Sequence, residues 1–589
     1  MADSIEATLQ EALECFYAGD HALAAILFRQ ILDRDPDHAE ALHLLGLAEQ
    51  GMGETGAALL HIAKAVGSSP RDVLYRMNLG TMLFEAGRPS DAVSILRGAV
   101  ECDPNLWEAH YVLGNALVAS GDDHAALKSF FRSVTLNPGH AETFNNIGLI
   151  LREQDKLEEA VVYLEKAVRI PTPFPPAFSN LCAAYVELGR LEEALSAGHE
   201  AVSLAPNDAS AHYNLANAMV AADNPEGSLS GYQEAVSLDP CYADAWINLG
   251  AALLACDEPG EAIVAFDRAV CLDKYSADAN WNRALALLKH GRLTEGWPGY
   301  EWRWEAVPWL NRWQLEVPQW RGEEVDGKVI LVHAEQGYGD TIQFVRYLPD
   351  ILRRGGKVRL VCQPALKRLL SFLPDLESVT AHGEIPGPFD LHLPIMSLPE
   401  AVGLANPASG SDKIPYISAE IGAPPELASV QLPKVGLVWR GSQINTEGKF
   451  RSCRFCDLEP ILLVPHARYF ALQPDIEEEE RSLLIHLGGV DLSSRIQDFG
   501  DSAAITDAMD LVISVDTAQA HLTGALGKPI WTLLARGADW RWFLDRDDSP
   551  WYPTMRLFRQ LERGNWQQPI AQAALALPKF LLGIANQAK

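Results

Sequence analysis

The 589-residue chain contains no apolar run long enough for the ~18–20 residues of a membrane-spanning helix. It also lacks a basic surplus: 48 Lys and Arg stand against 78 Asp and Glu, a net charge of −30. Nucleic-acid phosphates are held by clustered Lys and Arg, so this balance argues against a nucleic-acid partner. No basic amphipathic segment suits an anionic bilayer. The nine cysteines are scattered, which is no disulfide framework. One close pair, Cys453-x-x-Cys456, has no second pair at zinc-ribbon spacing and reads as incidental. The start, Met1-Ala-Asp-Ser-Ile-Glu6, has neither the basic residues nor the apolar stretch of a signal peptide, so a cytoplasmic protein is expected.

What is present is globular in composition, with 48% apolar and 21% charged residues. The length exceeds what one hydrophobic core fills, roughly 250–300 residues, so several domains are expected. The strongest signal is a 34-residue period from about residue 5 to residue 276. A small residue recurs as Gly46, Gly80, Gly114, Gly148, Cys182, Ala216 and Gly250. Another recurs as Ala58, Ala92, Ala126, Ala160, Ala194, Ser228 and Ala262, and a proline as Pro36, Pro70, Pro104, Pro138, Pro206 and Pro240. Small side chains let two helices approach closely, and proline closes the second, so each unit is a helical hairpin. The pattern resembles the tetratricopeptide repeat. Eight repeats and a ninth first helix near Ala277–Lys289 are expected to stack into a solenoid with a concave groove.

A second pattern is laid on the first. Asn78, Asn146, Asn180, Asn214, Asn248 and Asn282 occupy one repeat position, about 200° of helix rotation from the inward small residue. They are expected to face the groove. A carboxamide matches both the N–H and the C=O of an extended peptide, so the ladder suits a polypeptide acceptor held without side-chain selection. The bland reading is a solvated face copied by duplication. Such a ladder is similar to that of the O-linked N-acetylglucosamine transferases, whose repeats hold the polypeptide acceptor.

Six tryptophans, Trp297, Trp302, Trp304, Trp309, Trp313 and Trp320, follow the repeats. A solenoid end exposes an apolar face, and large aromatics dock it onto the next domain. Sugar stacking is the other reading of these indoles. Beyond Gly327 the period changes. Val329–His333, a glycine turn through Gly337 and Gly339, a helical stretch Thr341–Leu352 and a strand Lys357–Cys362 form a βαβ unit. A comparable series restarts with Val435–Trp439, Tyr469–Gln473, Leu511–Val515 and Pro529–Leu534. Two parallel sheets with a ligand cleft at the C-terminal strand ends are expected. At Asp516-Thr517 a strand ends and a helix begins, carrying His521 one turn in. Free N–H groups and the helix dipole make that start an anion site, a cradle for pyrophosphate.

These features resemble the GT-B glycosyltransferases of the heptosyltransferase-like family. The resemblance rests on Gly339-Asp340, on Trp439-Arg-Gly-Ser442 with Lys449 and Arg451, and on the block from Asp516 to Pro529. Repeats joined to such a domain are also similar to bacterial protein glycosyltransferases, including those that modify flagellins. The resemblance implies an all-α tetratricopeptide-repeat solenoid (5–304), a Trp-rich junction (305–327), and a GT-B fold of two Rossmann-like halves (328–432 and 433–589). It implies Asp340 as general base, with N-capping of the next helix as the plainer role. It places Arg440, Ser442, Lys449, Arg451, Gln473, Asp516, Thr517 and His521 around the donor nucleotide and its phosphates. No Asp-x-Asp pair stands at a strand end, in keeping with metal-independent transfer.

The expected activity is inverting transfer of a sugar from a nucleotide-activated donor to Ser or Thr of a polypeptide. A glycan or lipid-linked acceptor with the repeats as scaffold is one alternative; a non-catalytic peptide-binding adaptor is another. The loops Asp539–Trp542 and Ser549–Pro553 read as packing or a sugar platform. The acidic run Glu477–Glu480 reads as a solvated helix face.

Overall fold

The computed structural model describes residues 2–409, 413–441 and 451–587. It divides into two compact units, Met1–Asp239 and Pro240–Lys589. The first is helical hairpins throughout, seven among the described residues, from Ala2–Tyr17 with His21–Leu32 to Ala209–Ala221 with Pro225–Leu238.

Within each hairpin the small residue of the first helix meets the residue sixteen positions on. A Cβ added at Gly46, Gly80, Gly114 or Gly148 would lie 2.4–2.6 Å from Ile62, Leu96, Phe130 or Leu164. The sixth repeat reverses the sizes, because Cys182 faces Gly198 and its sulfur would lie 3.1 Å from a Cβ there. At each of these contacts one partner is glycine, on whichever helix it stands. A second 34-residue series sits in the turn between the paired helices. Gly19, Gly53, Gly87, Gly121 and Gly189 take φ of 72–83°, and Asp155 and Asp223 take 59° and 57° at the equivalent positions. Only Gly, and less readily Asp or Asn, enters that left-handed region without a large penalty.

The second unit opens with two further hairpins. The first pairs Ala243–Ala255 with Pro259–Leu272, and Gly250 meets Phe266 there as in the earlier repeats. The last repeat has its second helix after all, Leu293–Tyr300, shortened to 8 residues and containing Pro298. Its Trp297 and Tyr300 are buried.

Two all-parallel sheets follow. The first comprises β1 (Val329–His333), β2 (Lys357–Cys362), β3 (Ser378–Ala381) and β4 (Leu391–Pro394), in the order β3-β2-β1-β4. The second comprises β5 (Lys434–Val438), β6 (Arg468–Ala471), β7 (Val490–Asp491), β8 (Leu511–Val515), β9 (Ile530–Leu534) and β10 (Met555–Arg559), in the order β10-β9-β8-β5-β6-β7. Counted within its own half, the second sheet has the doubly wound order 3-2-1-4-5-6, and the first has its 3-2-1-4 portion. The strand order reverses between β1 and β4 in one sheet and between β5 and β8 in the other. Those are the points at which such folds leave a crevice for a ligand. Every residue of β8 and β9 is buried, which is why these strands read as unbroken apolar runs. The helical stretch after β1 begins at Tyr338, earlier than the expected Thr341, and is broken by a 3-10 turn at Val345–Tyr347.

One hydrophobic core joins the last hairpin to both sheets through Trp297, Trp320, Phe344, Leu522, Trp540 and Trp551. The other face of the second sheet packs under the long helix Gln567–Gln587.

Gly114→Ala tests the hairpin contact. Alanine in a helix is favoured by about 1 kcal/mol over glycine, but its methyl would meet the Phe130 ring at 2.4 Å. A net loss of about 1–3 kcal/mol is expected from overpacking. Urea midpoints followed by circular dichroism decide it, and a rise in the variant would contradict the contact.

Candidate active site

The C-terminal ends of β5, β6 and β8 carry most of the residues expected to bind a donor. Asp516 is buried, its Oδ2 accepts no hydrogen bond, and Arg451 lies 3.8 Å away. Burial raises the Asp516 carboxyl above its usual range, with the Arg451 charge opposing. Thr517 is the extended residue before the Ala518–Ala525 helix, and its Oγ1 lies 3.0 Å from Ser514 Oγ. The helix itself provides no acceptors for its first amides, so a cluster of N–H donors opens beside the Thr517 hydroxyl. His521 is buried against Trp542, with Nδ1 3.0 Å from the Tyr552 hydroxyl. Burial, then the Arg541 charge, lowers its pKa to about 3, so the ring is neutral and brings no positive charge to a phosphate.

Gln473 and Arg440 take other work. Gln473 Oε1 accepts from the amides of Trp439 and Arg440 at 3.3 and 3.1 Å, and its Nε2 donates to Asp475. The side chain braces the ends of β5 and β6, and both of its polar atoms are engaged. The Arg440 guanidinium donates to the Asp475 carbonyl, to Glu477 and to Glu480, at 2.6, 2.6 and 3.1 Å. Glu480 also accepts from Trp439 Nε1 at 2.8 Å. The acidic run is therefore more than a solvated face, because Glu477 and Glu480 clamp the start of the second half. Ser442 and Lys449 lie outside the described residues.

On the opposite wall, the glycine turn after β1 presents Asp340 in the first turn of the Tyr338–Phe344 helix. Its Oδ2 accepts from Gly337 N at 2.8 Å, so Asp340 caps the helix from inside rather than from the N-cap position. Its Oδ1 is paired with Arg541 Nη2. Arg541, itself buried, also donates to Asp539 Oδ1 at 2.8 Å and to Gln343 Oε1 at 2.9 Å. The two walls touch where Gly339 faces His521, since a Cβ on Gly339 would lie 2.8 Å from the imidazole. Asp340 and the start of the Ala518–Ala525 helix are thereby brought side by side, a Cβ on Gly339 lying 3.6 Å from Ala518 Cα.

Behind this wall sits a second buried arginine. Arg303, at the start of the short helix Arg303–Ala306, pairs with Glu301 at 2.7 Å and Glu335 at 3.1 Å and donates to Ser397 at 2.8 Å. Burial pushes the Glu335 carboxyl up to about 7, against the Arg303 charge. Glu335 also accepts the amides of Ile395 and Met396, so it holds the loop after β4. Trp297 is buried in the core, donates to the Leu404 carbonyl at 2.9 Å and packs edge-on against Trp540 at 5.3 Å. Trp320 is buried, Trp313 stacks on His333 at 4.5 Å, and Trp309 is exposed. Trp540, Trp542, Trp551 and Tyr552 are buried, which makes both late aromatic loops packing elements. Arg541 and Arg303 were not singled out in the sequence; the flanking Asp539 and Trp540, and the Trp302-Arg-Trp304 triplet, were the available signals.

The Asn ladder is stitched into the array. Asn78 Nδ2 lies 2.7 Å from His43 Nε2, Asn146 donates to Asn115 Oδ1 at 2.9 Å, Asn180 to Asn145 Oδ1 at 2.8 Å and Asn214 to Ser179 Oγ at 2.8 Å. Each bond reaches the first helix of the preceding repeat. Asn248 and Asn282 are half-buried.

Tetratricopeptide-repeat family models match residues 9–50 and 43–106, 140–170, and 183–222. The helical hairpins are tetratricopeptide repeats. The chain is 31% identical over 326 residues to Protein FlbA of Caulobacter vibrioides (strain ATCC 19089 / CIP 103742 / CB 15), covering 50% of this chain and 54% of that protein. It is 27% identical over 169 residues to Superkiller complex protein 3 of Mus musculus, covering 27% of this chain and 10% of that one. The chain thus spans about half the length of the first of these relatives and far less of the second. Among solved structures, MamA 41-end from Desulfovibrio magneticus RS-1 is 20% identical, with a TM-score of 0.27 over 29% of this chain and 96% of that one. YrrB, described as a TPR protein with an unusual peptide-binding site, is 19% identical, with a TM-score of 0.25 over 37% of this chain and 95% of that one.

Two outcomes follow from the buried charges. Arg541→Met leaves Asp340 and Asp539 without their shared cation, so a loss of about 3–5 kcal/mol is expected in urea unfolding. An unchanged midpoint would mean that the arginine is dispensable. His521 and His333 are both held to about 3, from 6.5, chiefly by burial. The native state keeps them neutral while the unfolded chain protonates them, so their contribution is complete above 6.5 and is lost as pH falls from 6.5 toward 3. Glu335 opposes them, because its raised pKa makes its contribution fall as pH rises from 4.5 through about 7. His521→Phe is expected to flatten the acid-side loss in urea midpoints recorded through this range.

Proposed function

We propose that the chain is a GT-B glycosyltransferase that moves a sugar from a nucleotide-activated donor to a Ser or Thr hydroxyl of a polypeptide held by its repeats. The observation that carries this reading is the approach of the glycine turn bearing Asp340 to the helix start at Thr517. Each follows a strand, β1 or β8, at the switch point of its sheet, where such folds take a ligand. Similarity to Protein FlbA over half the chain supports an architecture of repeats plus a second domain.

In this reading the donor pyrophosphate rests on the amides at Ala518 and Gln519 and on the Thr517 hydroxyl, with Arg451 beside it. The acceptor oxygen attacks the anomeric carbon as Asp340 takes its proton. The sugar–phosphate bond breaks, its electron pair leaves with the nucleoside diphosphate, and the helix start and Arg451 meet the charge that develops there. An ionised carboxylate has about four acceptor sites. Asp340 spends one on Gly337 N and one on Arg541, so it retains capacity for the acceptor hydroxyl. Charge neutralisation is assigned to these groups, so no metal ion is required. Gln473 and Arg440 act by holding the start of the second half.

The ladder supports a narrower peptide role than a donor–acceptor clamp. Four of its amides donate within the array, which leaves carbonyl oxygens such as that of Asn180 to accept from a peptide N–H. The same stitching favours the second reading, a docking scaffold for a glycan or lipid-linked acceptor. Calorimetric titration with UDP, GDP, ADP, CDP and CMP is expected to show binding of one nucleotide, lost in Thr517→Ala/His521→Ala. Asp340→Asn is expected to retain that binding and lose sugar transfer by about 10²–10⁴-fold, the scale of a general base. Absence of binding to all five would leave a peptide-binding adaptor. Transfer unchanged in Asn180→Ala/Asn214→Ala would favour the scaffold.

A further inference from the structure

A cavity of about 380 Å³ opens where the end of the last repeat meets the turn after β4. Trp302 and Glu305 line it from the short helix Arg303–Ala306 and the residue before it. Arg312 and Arg321 come from the segment before β1, and Glu400 from the Leu398–Val402 helix. Glu301, a partner of Arg303, forms part of the wall and accepts from Ser397 at 2.6 Å. None of these residues belongs to the site that Asp340 and Thr517 define.

The lining groups are of mixed kind. Trp302 is half-buried, with neither a ring partner nor an acceptor for its Nε1 among the described residues. The side chains of Glu305, Arg321 and Glu400 make no hydrogen bond or ion pair among those residues either. Burial, then the Glu301 charge, raises the Glu400 carboxyl above its usual range, with Arg321 opposing, so this carboxyl is partly withdrawn from bulk water. Arg312 is already engaged, donating to Gln319 at 3.1 Å and lying 5.9 Å over the Trp304 ring. Arg303 lies over that same ring at 4.3 Å.

We propose that this cavity binds a neutral saccharide unit. A pyranose has an apolar C–H face and a rim of hydroxyls, each of which both donates and accepts. The Trp302 indole matches the face. Glu305 and Glu400 accept from the rim, and Arg321 donates to it. An ammonium also suits an indole beside carboxylates, but Arg312 and Arg321 in the same lining oppose a cation. The carboxylates in turn oppose an anion, which leaves an uncharged body with hydroxyls as the match. The volume falls within the roughly 300–1,000 Å³ of small-molecule sites. The same chemistry serves a free sugar and a sugar already attached to a polypeptide. The proposal does not rest on the glycosyltransferase reading, because nothing in it requires a nucleotide.

The test is saturation-transfer NMR on the full chain, without nucleotide, using glucose, galactose, N-acetylglucosamine and their methyl glycosides, beside choline, glucuronate and sorbitol. At least one of the neutral sugars is expected to receive saturation, and the cation, the anion and the open-chain polyol are not. Equal binding of a sugar and its methyl glycoside would mark a site for attached sugars; loss on methylation would mark one for the free sugar. Trp302→Leu should abolish the signal while keeping any nucleotide binding. Arg321→Ala and Glu305→Ala should each weaken the sugar about tenfold, as expected when one charged hydrogen-bonding partner is lost. Both of these residues are exposed, so their variants test the site even if Trp302→Leu fails to fold. No signal from any neutral sugar, or tighter binding of choline or glucuronate, would overturn the proposal. So would a signal kept in all three variants but lost in Thr517→Ala/His521→Ala, which would place the sugar beside the Ala518–Ala525 helix and leave the glycosyltransferase reading intact.

Discussion

A buried guanidinium has to be met by carboxylates, and two such arginines organise the second unit. A cation taken from water is tolerated only with close partners, and removing one member of such a group is strongly destabilising. Arg541 therefore fixes Asp340, Asp539 and Gln343 about a single point, although they come from the first sheet and from the loop after β9. Arg303 does the same for Glu301, Glu335 and Ser397, and so carries the Trp-rich junction into the first sheet. Gly339 can approach His521 because nothing larger than hydrogen occupies its α-carbon.

The same arrangement accounts for the burial of so many aromatics. Trp540 and Trp551 lie on either side of Arg541 in sequence and pack into the core with Trp297 and Phe344. The Arg541 guanidinium lies 4.3 Å over the Trp540 ring, and Trp551 Nε1 donates to the Arg541 carbonyl. Such rings exclude water from the ion pairs, which strengthens each of them. Indoles whose other reading was a sugar platform are thereby committed to structure.

Much of this was legible in the sequence, and the misses have physical causes. Repeat helices have strong periodicity, so the hairpins were readable to within a few residues. The second helix of the ninth was hidden by Gly296, Pro298 and Gly299, which weaken any helical pattern. Strands β8 and β9, buried on both faces, read as apolar runs. By contrast β3 is Ser-Val-Thr-Ala, β4 contains His392 and Pro394, and β10 contains Arg556 and Arg559. Short strands with polar residues carry little signal. Asp340 and Thr517 were singled out because one lies in the glycine turn after β1 and the other just past the end of β8. Arg541 was not, because its value lies in partners some 200 positions away. The ladder shows a subtler limit: the spacing of Asn180 and Asn214 was plain, but not that their amides reach back 35 residues to Asn145 and Ser179.

The contact sixteen residues ahead, together with the left-handed turn residue, bears on how such an array changes over time. Both are internal to one hairpin, so a unit carries its own fit and can be copied or deleted without disturbing its neighbours' helix pairing. The Asn bonds are different, since each joins a unit to the one before it. A deletion that moved Asn214 next to Asn145 in place of Ser179 would still offer its amide an acceptor. The array can therefore lengthen or shorten by whole units, whereas exchange of half a hairpin would set Cys182 against a leucine, or a glycine against Gly198. Inheritance in this half of the molecule is quantised at 34 residues.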